Sequence, residues 1–135
     1  MGHEQLIRDT WESISRGDYG ALEAVLAPDA RWRAVEDGPW NCENRSMIVH
    51  MMRQNREAGI LDGGVETVEE FGDRAIVGFR PTRDRGEDTW PLADGIRYVV
   101  VSTANDLVVE LKGCANRQVA LDYIEAGAPP ETSGG

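Results

Sequence analysis

A chain of 135 residues has room for one folded domain with a single core and leaves little for a second. Its formal charge of -10 disfavours nucleic acid as a partner, because phosphates must be met by clustered Lys and Arg. No run approaches the roughly 20 apolar residues that span a bilayer, and the N-terminus lacks the basic-then-apolar pattern of a signal peptide. These features predict a cytoplasmic protein that binds neither nucleic acid nor membrane.

The first 35 residues predict two helices and a strand. An apolar stripe at helical spacing begins at the N-terminus, and Gly17 ends that helix. Asp18 can cap a second helix, whose buried side runs to Leu26, because its carboxylate accepts from N–H groups of the first turn. Pro28 prevents that helix from continuing, and residues 31–35 then predict a short strand.

A third helix is predicted after a turn-rich loop. The loop contains Asp37, Gly38 and Pro39, which favour turns. Asn44 can cap the helix that follows, with Met51 on its apolar side. The sequence therefore predicts that three helices precede most of the strands.

The hydrophobic period changes near Gly63 from helical to alternating, which predicts strands for the second half. The predicted strands cover residues 65–71, 74–80, 96–102 and 107–115. Gly72-Asp73 and Asn105-Asp106 suit tight hairpins between them.

Asn116 can cap a last short helix that runs through Ile124. Residues 127–135 are expected to form a disordered tail after a single domain over residues 1–126. Helices followed by mostly consecutive strands predict an α+β fold.

Several short segments occur together in an order that is found in a known superfamily. They are Gly17-Asp18, Leu26-Ala27-Pro28-Asp29-Ala30 leading to Trp32, Trp40-Asn41-Cys42 followed by Arg45, Tyr98-Val99-Val100, and a strand that ends near Asn116-Arg117. With this set, residues 4–124 resemble the nuclear transport factor two-like superfamily and, within it, the SnoaL-like proteins. The resemblance implies a cone-shaped α+β barrel, with three N-terminal helices on a strongly curved, mostly antiparallel sheet. It also implies an apolar pocket between them.

The resemblance extends to ketosteroid isomerases, which use a carboxylate base and a two-donor oxyanion hole. Aligned on Gly17-Asp18, their tyrosine on the first helix falls on Thr10, their base on Ala34 and their protonated acid near Tyr98. The base is therefore missing and one possible donor survives. Asp37 is a second catalytic candidate, although a solvated turn is the simpler interpretation of its Gly-Pro loop.

An aromatic pocket for a flat apolar ligand is the main site hypothesis. The Tyr98 ring is expected to face the pocket if Val100 and Ser102 share its side of the strand, so that its hydroxyl meets a ligand oxygen. The alternative is a core tyrosine bonded to a backbone carbonyl, with the tryptophans used for packing and dimer contacts. The predicted lining is Thr10, Trp11, Trp32, Ala34, Trp40, Met51 and Tyr98.

Other kinds of site have little support in the sequence. No His, Cys and carboxylate spacing indicates a metal, and no Gly-rich loop offers a cradle for nucleotide phosphates, so no cofactor is predicted. Cys42 and Cys114 are expected to be buried free thiols, and Arg31 and Arg33 to be outward charges.

Two functions remain open from the sequence. The first is binding of a small apolar molecule without a recognisable base. The second is a lyase, isomerase or hydrolase that acts on a polyketide- or steroid-like compound, with Tyr98 as donor. A homodimer is also predicted, as the resemblance implies, through an outer sheet face where Val99 and Val101 form an apolar patch.

Overall fold

The computed structural model of the protein describes residues 4–33, 41–57, 63–81 and 96–126. In these ranges the chain forms, in order, α1 (Glu4–Ser15), α2 (Tyr19–Val25), β1 (Leu26–Arg33), α3 (Arg45–Glu57), β2 (Gly63–Phe71), β3 (Arg74–Pro81), β4 (Arg97–Ala104), β5 (Leu107–Cys114) and α4 (Arg117–Glu125). None of these helices is long and apolar enough to cross a membrane.

The five strands form one sheet in the order β1-β5-β4-β3-β2. The pairing of β1 with β5 is parallel, and the other three pairings are antiparallel. The protein therefore has an α+β fold with a curved mixed sheet, which confirms the predicted fold class.

Three predicted helix caps are present. The Oδ1 atom of Asp18 accepts from the N–H of Gly20 at 3.2 Å at the start of α2. The Oδ1 atom of Asn44 accepts from Met47 N at 3.0 Å, and that of Asn116 accepts from Val119 N at 2.9 Å. Each side chain satisfies an N–H group that the first turn leaves without a helical partner, so these helices begin where the sequence predicts.

Both predicted hairpins are also present. Gly72, between β2 and β3, has a φ of 70°, a conformation that glycine adopts without steric cost. Asn105 and Asp106, between β4 and β5, have φ values of 55° and 67°. Positive φ at both central residues is the geometry of a type I′ turn, and Asn and Asp tolerate it better than other side chains do.

The first strand begins earlier than predicted. Leu26 was expected on the buried side of the second helix, but α2 ends at Val25 and Leu26 is extended, with φ −94° and ψ 137°. Strand β1 is an edge strand whose register with β5 shifts between Leu26 and Arg31, and Pro28 lies in that irregular stretch. A proline is tolerated there because an edge strand with a bulge can do without a ladder N–H group.

The sheet is covered on both faces. On the side that we call the helix face, strand side chains pack with α1, α2 and α3 in the larger core cluster, which includes Ile14, Leu22, Trp32, Ile48, Val77 and Val101. On the other side, the α4 face, Ile76, Tyr98, Val100 and Cys114 pack against Ala120 of α4. Strand β4 contributes to both clusters because successive side chains of a strand point to opposite faces.

The predicted assignment of β4 to the two faces was wrong. Val99 and Val101 were expected to form an outward apolar patch, but both pack in the cluster beneath the N-terminal helices, and Val101 is only 6% exposed. Tyr98 was expected to face those helices and instead packs under α4. Both sets of residues carry apolar side chains that are buried or half-buried, so alternation alone could not show which set faced α1 to α3.

Candidate functional site

Three residues of the predicted pocket lie on the helix face. Trp32, Trp11 and Met51 all belong to the larger cluster or pack against it. Trp32 exchanges two backbone hydrogen bonds with Cys42, at 3.0 and 2.9 Å, and the Sγ atom of Cys42 lies 4.0 Å from the Sδ atom of Met51. Trp32, Cys42 and Met51 therefore form one group between β1 and α3.

The other predicted site residues are not brought into that group. Tyr98 lies on the α4 face, in the second core cluster. Thr10 is half-buried on α1. Ala34, Asp37 and Trp40 lie outside the described residues. The predicted donor and the predicted aromatic lining are thus on opposite sides of the sheet.

A second aromatic group on the helix face was not predicted. The Trp11 and Phe79 rings have centroids 4.7 Å apart and planes inclined by 60°, a tilted arrangement that aromatic pairs favour. Phe79 lies between Val65 of β2 and Arg97 of β4, its partners in the sheet register. Residues directly opposite on antiparallel strands project to the same face, so Arg97 shares the helix face with Phe79.

The Trp11 indole has an unusual environment. Its Nε1 atom is buried, and among the described residues it has no hydrogen-bond partner. The same is true of the Tyr19 hydroxyl, which lies on α2, where Arg53 of α3 sits 5.0 Å above the ring centroid. Trp11 contacts the sheet, because its ring packs against Phe79 of β3.

The α4 face carries a buried polar network instead. Glu110 is 1% exposed, and its Oε2 atom accepts from Arg33 Nε at 2.6 Å. Its Oε1 atom accepts from the Tyr123 hydroxyl of α4 at 2.5 Å. Both carboxylate oxygens are therefore hydrogen-bonded, as a buried charge requires. Arg33 was predicted to be an outward charge, and this was wrong because it pairs with the buried Glu110. The local sequence did not show this pair, because the two residues are 77 positions apart in the chain.

This network also changes the acidity of the tyrosine. Burial raises the pKa of Tyr123, and the hydrogen bond to the Glu110 carboxylate raises it further. The guanidinium groups of Arg33 and Arg74 act in the opposite direction and do not cancel the increase. Tyr123 is thus held in its neutral, donating form, which suits a structural anchor for α4.

Both cysteines are buried free thiols, as predicted. Burial raises the pKa of the Cys114 thiol to about 11, and it also raises the pKa of Cys42. Since the thiolate is the reactive form, neither residue has the character of a nucleophile at neutral pH.

The residues that the sequence reasoning missed are Phe79, Arg97, Glu110 and Tyr123. A signal existed for Phe79, because Val77 and Phe79 alternate along β3 and so share a face. Arg97 stands at the beginning of a strand, where a charge is usually exposed, and only the register shows it to be opposite Phe79. Glu110 and Tyr123 had no local signal, because their contact depends on how α4 packs.

Known proteins resemble this chain in structure, whereas comparison of the sequence found no match. No family model matches the chain, and no curated protein matches it in sequence. A protein from Sinorhizobium meliloti that is assigned as a polyketide cyclase has a similar structure, with a TM-score of 0.64 at 15% identity over 81% of this chain and 93% of that one.

Two further solved structures show the range of similar proteins. An NTF2-like protein of unknown function from Burkholderia pseudomallei has a TM-score of 0.60 at 19% identity, over 95% of this chain and 100% of that one. A de novo designed protein with a curved β-sheet has a TM-score of 0.63 at 15% identity, over 93% and 99% of the two chains. The chain therefore has the nuclear transport factor two-like, SnoaL-like fold. At such identities the likeness concerns the fold alone.

Proposed function

We propose that the helix face of the sheet binds a small, planar, apolar molecule that carries a hydrogen-bond acceptor. The observation that supports this most is the buried Trp11 N–H, which has no partner in the described part of the chain. It lies beside the Phe79 ring, on the face where the fold places its larger apolar cluster.

A buried donor without an acceptor destabilises the protein. Leaving a buried N–H without an acceptor costs about 1–3 kcal/mol, so a ligand oxygen that accepts from it recovers that energy. An aromatic ligand would in addition find the Trp11 and Phe79 rings already in contact with each other. Apolar walls with a few polar groups that fix orientation are typical of small-molecule sites.

Binding is favoured over proton abstraction by the placement of carboxylates. Among the described residues, the buried carboxylate is Glu110, and it lies on the α4 face with both oxygens engaged. The alternative function, an enzyme that uses Tyr98 as donor, loses support because Tyr98 packs under α4. Asp37 lies outside the described residues, so its catalytic role remains a prediction of the sequence alone.

The test measures the binding of a panel of planar compounds by intrinsic tryptophan fluorescence and by calorimetry. The panel contains 2-naphthol, anthraquinone and a steroid ketone. We expect at least one compound to bind, and Trp11→Phe to weaken its binding about tenfold, because loss of one hydrogen bond of about 1.4 kcal/mol is a factor of ten.

Tyr98→Phe is the matched control, since it removes a hydroxyl on the opposite face and should leave the dissociation constant unchanged. The proposal fails if no compound binds, or if Trp11→Phe binds as tightly as the parent protein.

A homodimer also remains a proposal, supported only by the resemblance of the sequence. Val99 and Val101, which were predicted to form its interface, are covered by the N-terminal helices, so a dimer would need another surface. Light scattering at micromolar concentration would decide it, and a monomer mass would contradict it.

A further inference from the structure

The helix face carries a buried cation next to the aromatic pair. Arg97 is 3% exposed, and it lies directly opposite Phe79 in the sheet register. The two side chains therefore share a face of the sheet, and Phe79 also contacts Trp11 on that face.

A second guanidinium contacts β2, the strand on the other side of β3. Val65 is the register partner of Phe79 on β2, and its carbonyl oxygen accepts from Arg8 Nη1 at 3.1 Å. Arg8 is also paired with Glu4 at 2.8 Å, so its charge is partly balanced. Two arginine side chains therefore lie on the two strands that flank Phe79 of β3, one on β4 and one in contact with β2.

The chemistry of the guanidinium permits it to bind a ligand while it keeps its contacts within the protein. It has five N–H donors, and a single protein acceptor does not use all of them. Its planar fork also matches the geometry of a carboxylate. In a buried setting such a bond is stronger than in water, because the effective dielectric constant is lower.

We propose that the ligand of the helix face is an anion, namely a planar aromatic molecule with a carboxylate. The ring lies against Trp11 and Phe79, and the carboxylate accepts from Arg97. This inference rests on the proposed function, because it specifies the chemical class of the same ligand.

The experiment compares two probes of nearly equal shape, 2-naphthoate and 2-naphthamide, by calorimetry at neutral pH and fixed salt concentration. The parent protein should bind the acid at least tenfold more tightly than the amide. Arg97→Gln should abolish that preference by weakening binding of the acid, with little change for the amide.

Arg80→Gln serves as the matched control, because Arg80 follows Phe79 on β3 but is exposed and paired with Glu66. It should leave the ratio between acid and amide unchanged. If Arg97→Gln does not fold, Arg97→Lys, which keeps the charge but not the fork, should retain part of the preference for the acid.

The two proposals fail in different ways. Equal binding of acid and amide by the parent protein, or an unchanged ratio in a folded Arg97→Gln or Arg97→Lys, overturns the role of Arg97 and leaves the proposed function standing. A protein that binds neither probe nor any compound of the neutral panel contradicts both.

Discussion

The helix face and the α4 face of the sheet both bury polar side chains, but these groups are bonded differently. On the α4 face, Glu110 has a donor at each oxygen, Arg33 on one side and Tyr123 on the other. On the helix face, the Trp11 N–H is buried with no acceptor among the residues that the structure describes. In a closed network every polar atom is already satisfied within the protein, whereas an open donor can still hydrogen-bond an acceptor from outside it.

Two buried hydroxyl groups, one on each face, also have no partner in the described ranges. Tyr19 has a buried hydroxyl at the contact of α2 with α3, and Ser102 has one on the α4 face, each without a partner in the described ranges. Ser102 is the register partner of both Arg74 and Glu110, so its hydroxyl lies within a polar row of the sheet. The contrast between the faces therefore concerns Glu110, whose two oxygens are both hydrogen-bonded, and the Trp11 N–H, which has no acceptor in the described ranges.

The largest expected effect is on the α4 face. Glu110→Gln removes the charge that Arg33 and Tyr123 share, and breaking a buried pair of this kind costs about 3 kcal/mol, the lower end of the usual range because Arg33 is partly exposed. Urea unfolding measures the change. Glu66→Gln is the control, since its pair with Arg80 is exposed and its loss should leave the unfolding midpoint nearly unchanged. Equal effects of the two substitutions would mean that the buried network is not a stabilising element.

A smaller effect is expected for Tyr123→Phe, which keeps the ring and removes the bond to Glu110. The loss should be about 1.5 kcal/mol in the free energy of unfolding, since the acceptor is charged but the tyrosine is only half-buried. In this variant, hydrogen exchange of the α4 backbone amides should be faster than in the parent protein, while exchange of the α3 amides should be nearly unchanged. Unchanged exchange in α4 would show that the phenol does not hold this helix.

The same residue predicts a dependence on pH. Because the folded-state pKa of Tyr123 lies above its unfolded value of about 10, its contribution is complete below that pH and is lost as the pH rises further. Between pH 9 and 11 the parent protein should therefore lose stability more steeply than Tyr123→Phe. Parallel curves for the two proteins would contradict the raised pKa.

Ser102→Ala should have the smallest effect. Removing a buried hydroxyl that has no partner is expected to change the free energy of unfolding by less than about 0.5 kcal/mol, or to stabilise the protein slightly. A loss of more than about 1 kcal/mol in urea unfolding would show that the hydroxyl has a partner in solution, such as an ordered water molecule.

The sequence predicted what local chemistry determines. Asn44 and Asn116 cap helices, and Asn105-Asp106 turns a hairpin, because these side chains act on their own backbone within a few residues. The change of period near Gly63 likewise located the beginning of β2.

What the sequence could not predict depends on contacts over long distances. Tyr98 and Val99 are both apolar neighbours in a strand buried on both sides, so their faces were decided by the packing of α4. Arg97 became a candidate site residue only through its register with Phe79. Of the predicted pocket lining, Trp11, Trp32 and Met51 lie on the helix face, whereas Tyr98 lies on the α4 face.

The most direct test of the division between the two faces is the indole N–H resonance of Trp11 in a proton–nitrogen correlation spectrum, assigned with Trp11→Phe, during titration with 2-naphthoate. A new hydrogen bond and a ring placed against Trp11 should shift this resonance and protect it from exchange. Backbone amides of α4 should stay nearly unchanged. A titration that moves the α4-face signals and leaves the Trp11 indole unperturbed would contradict the assignment of ligand binding to the helix face.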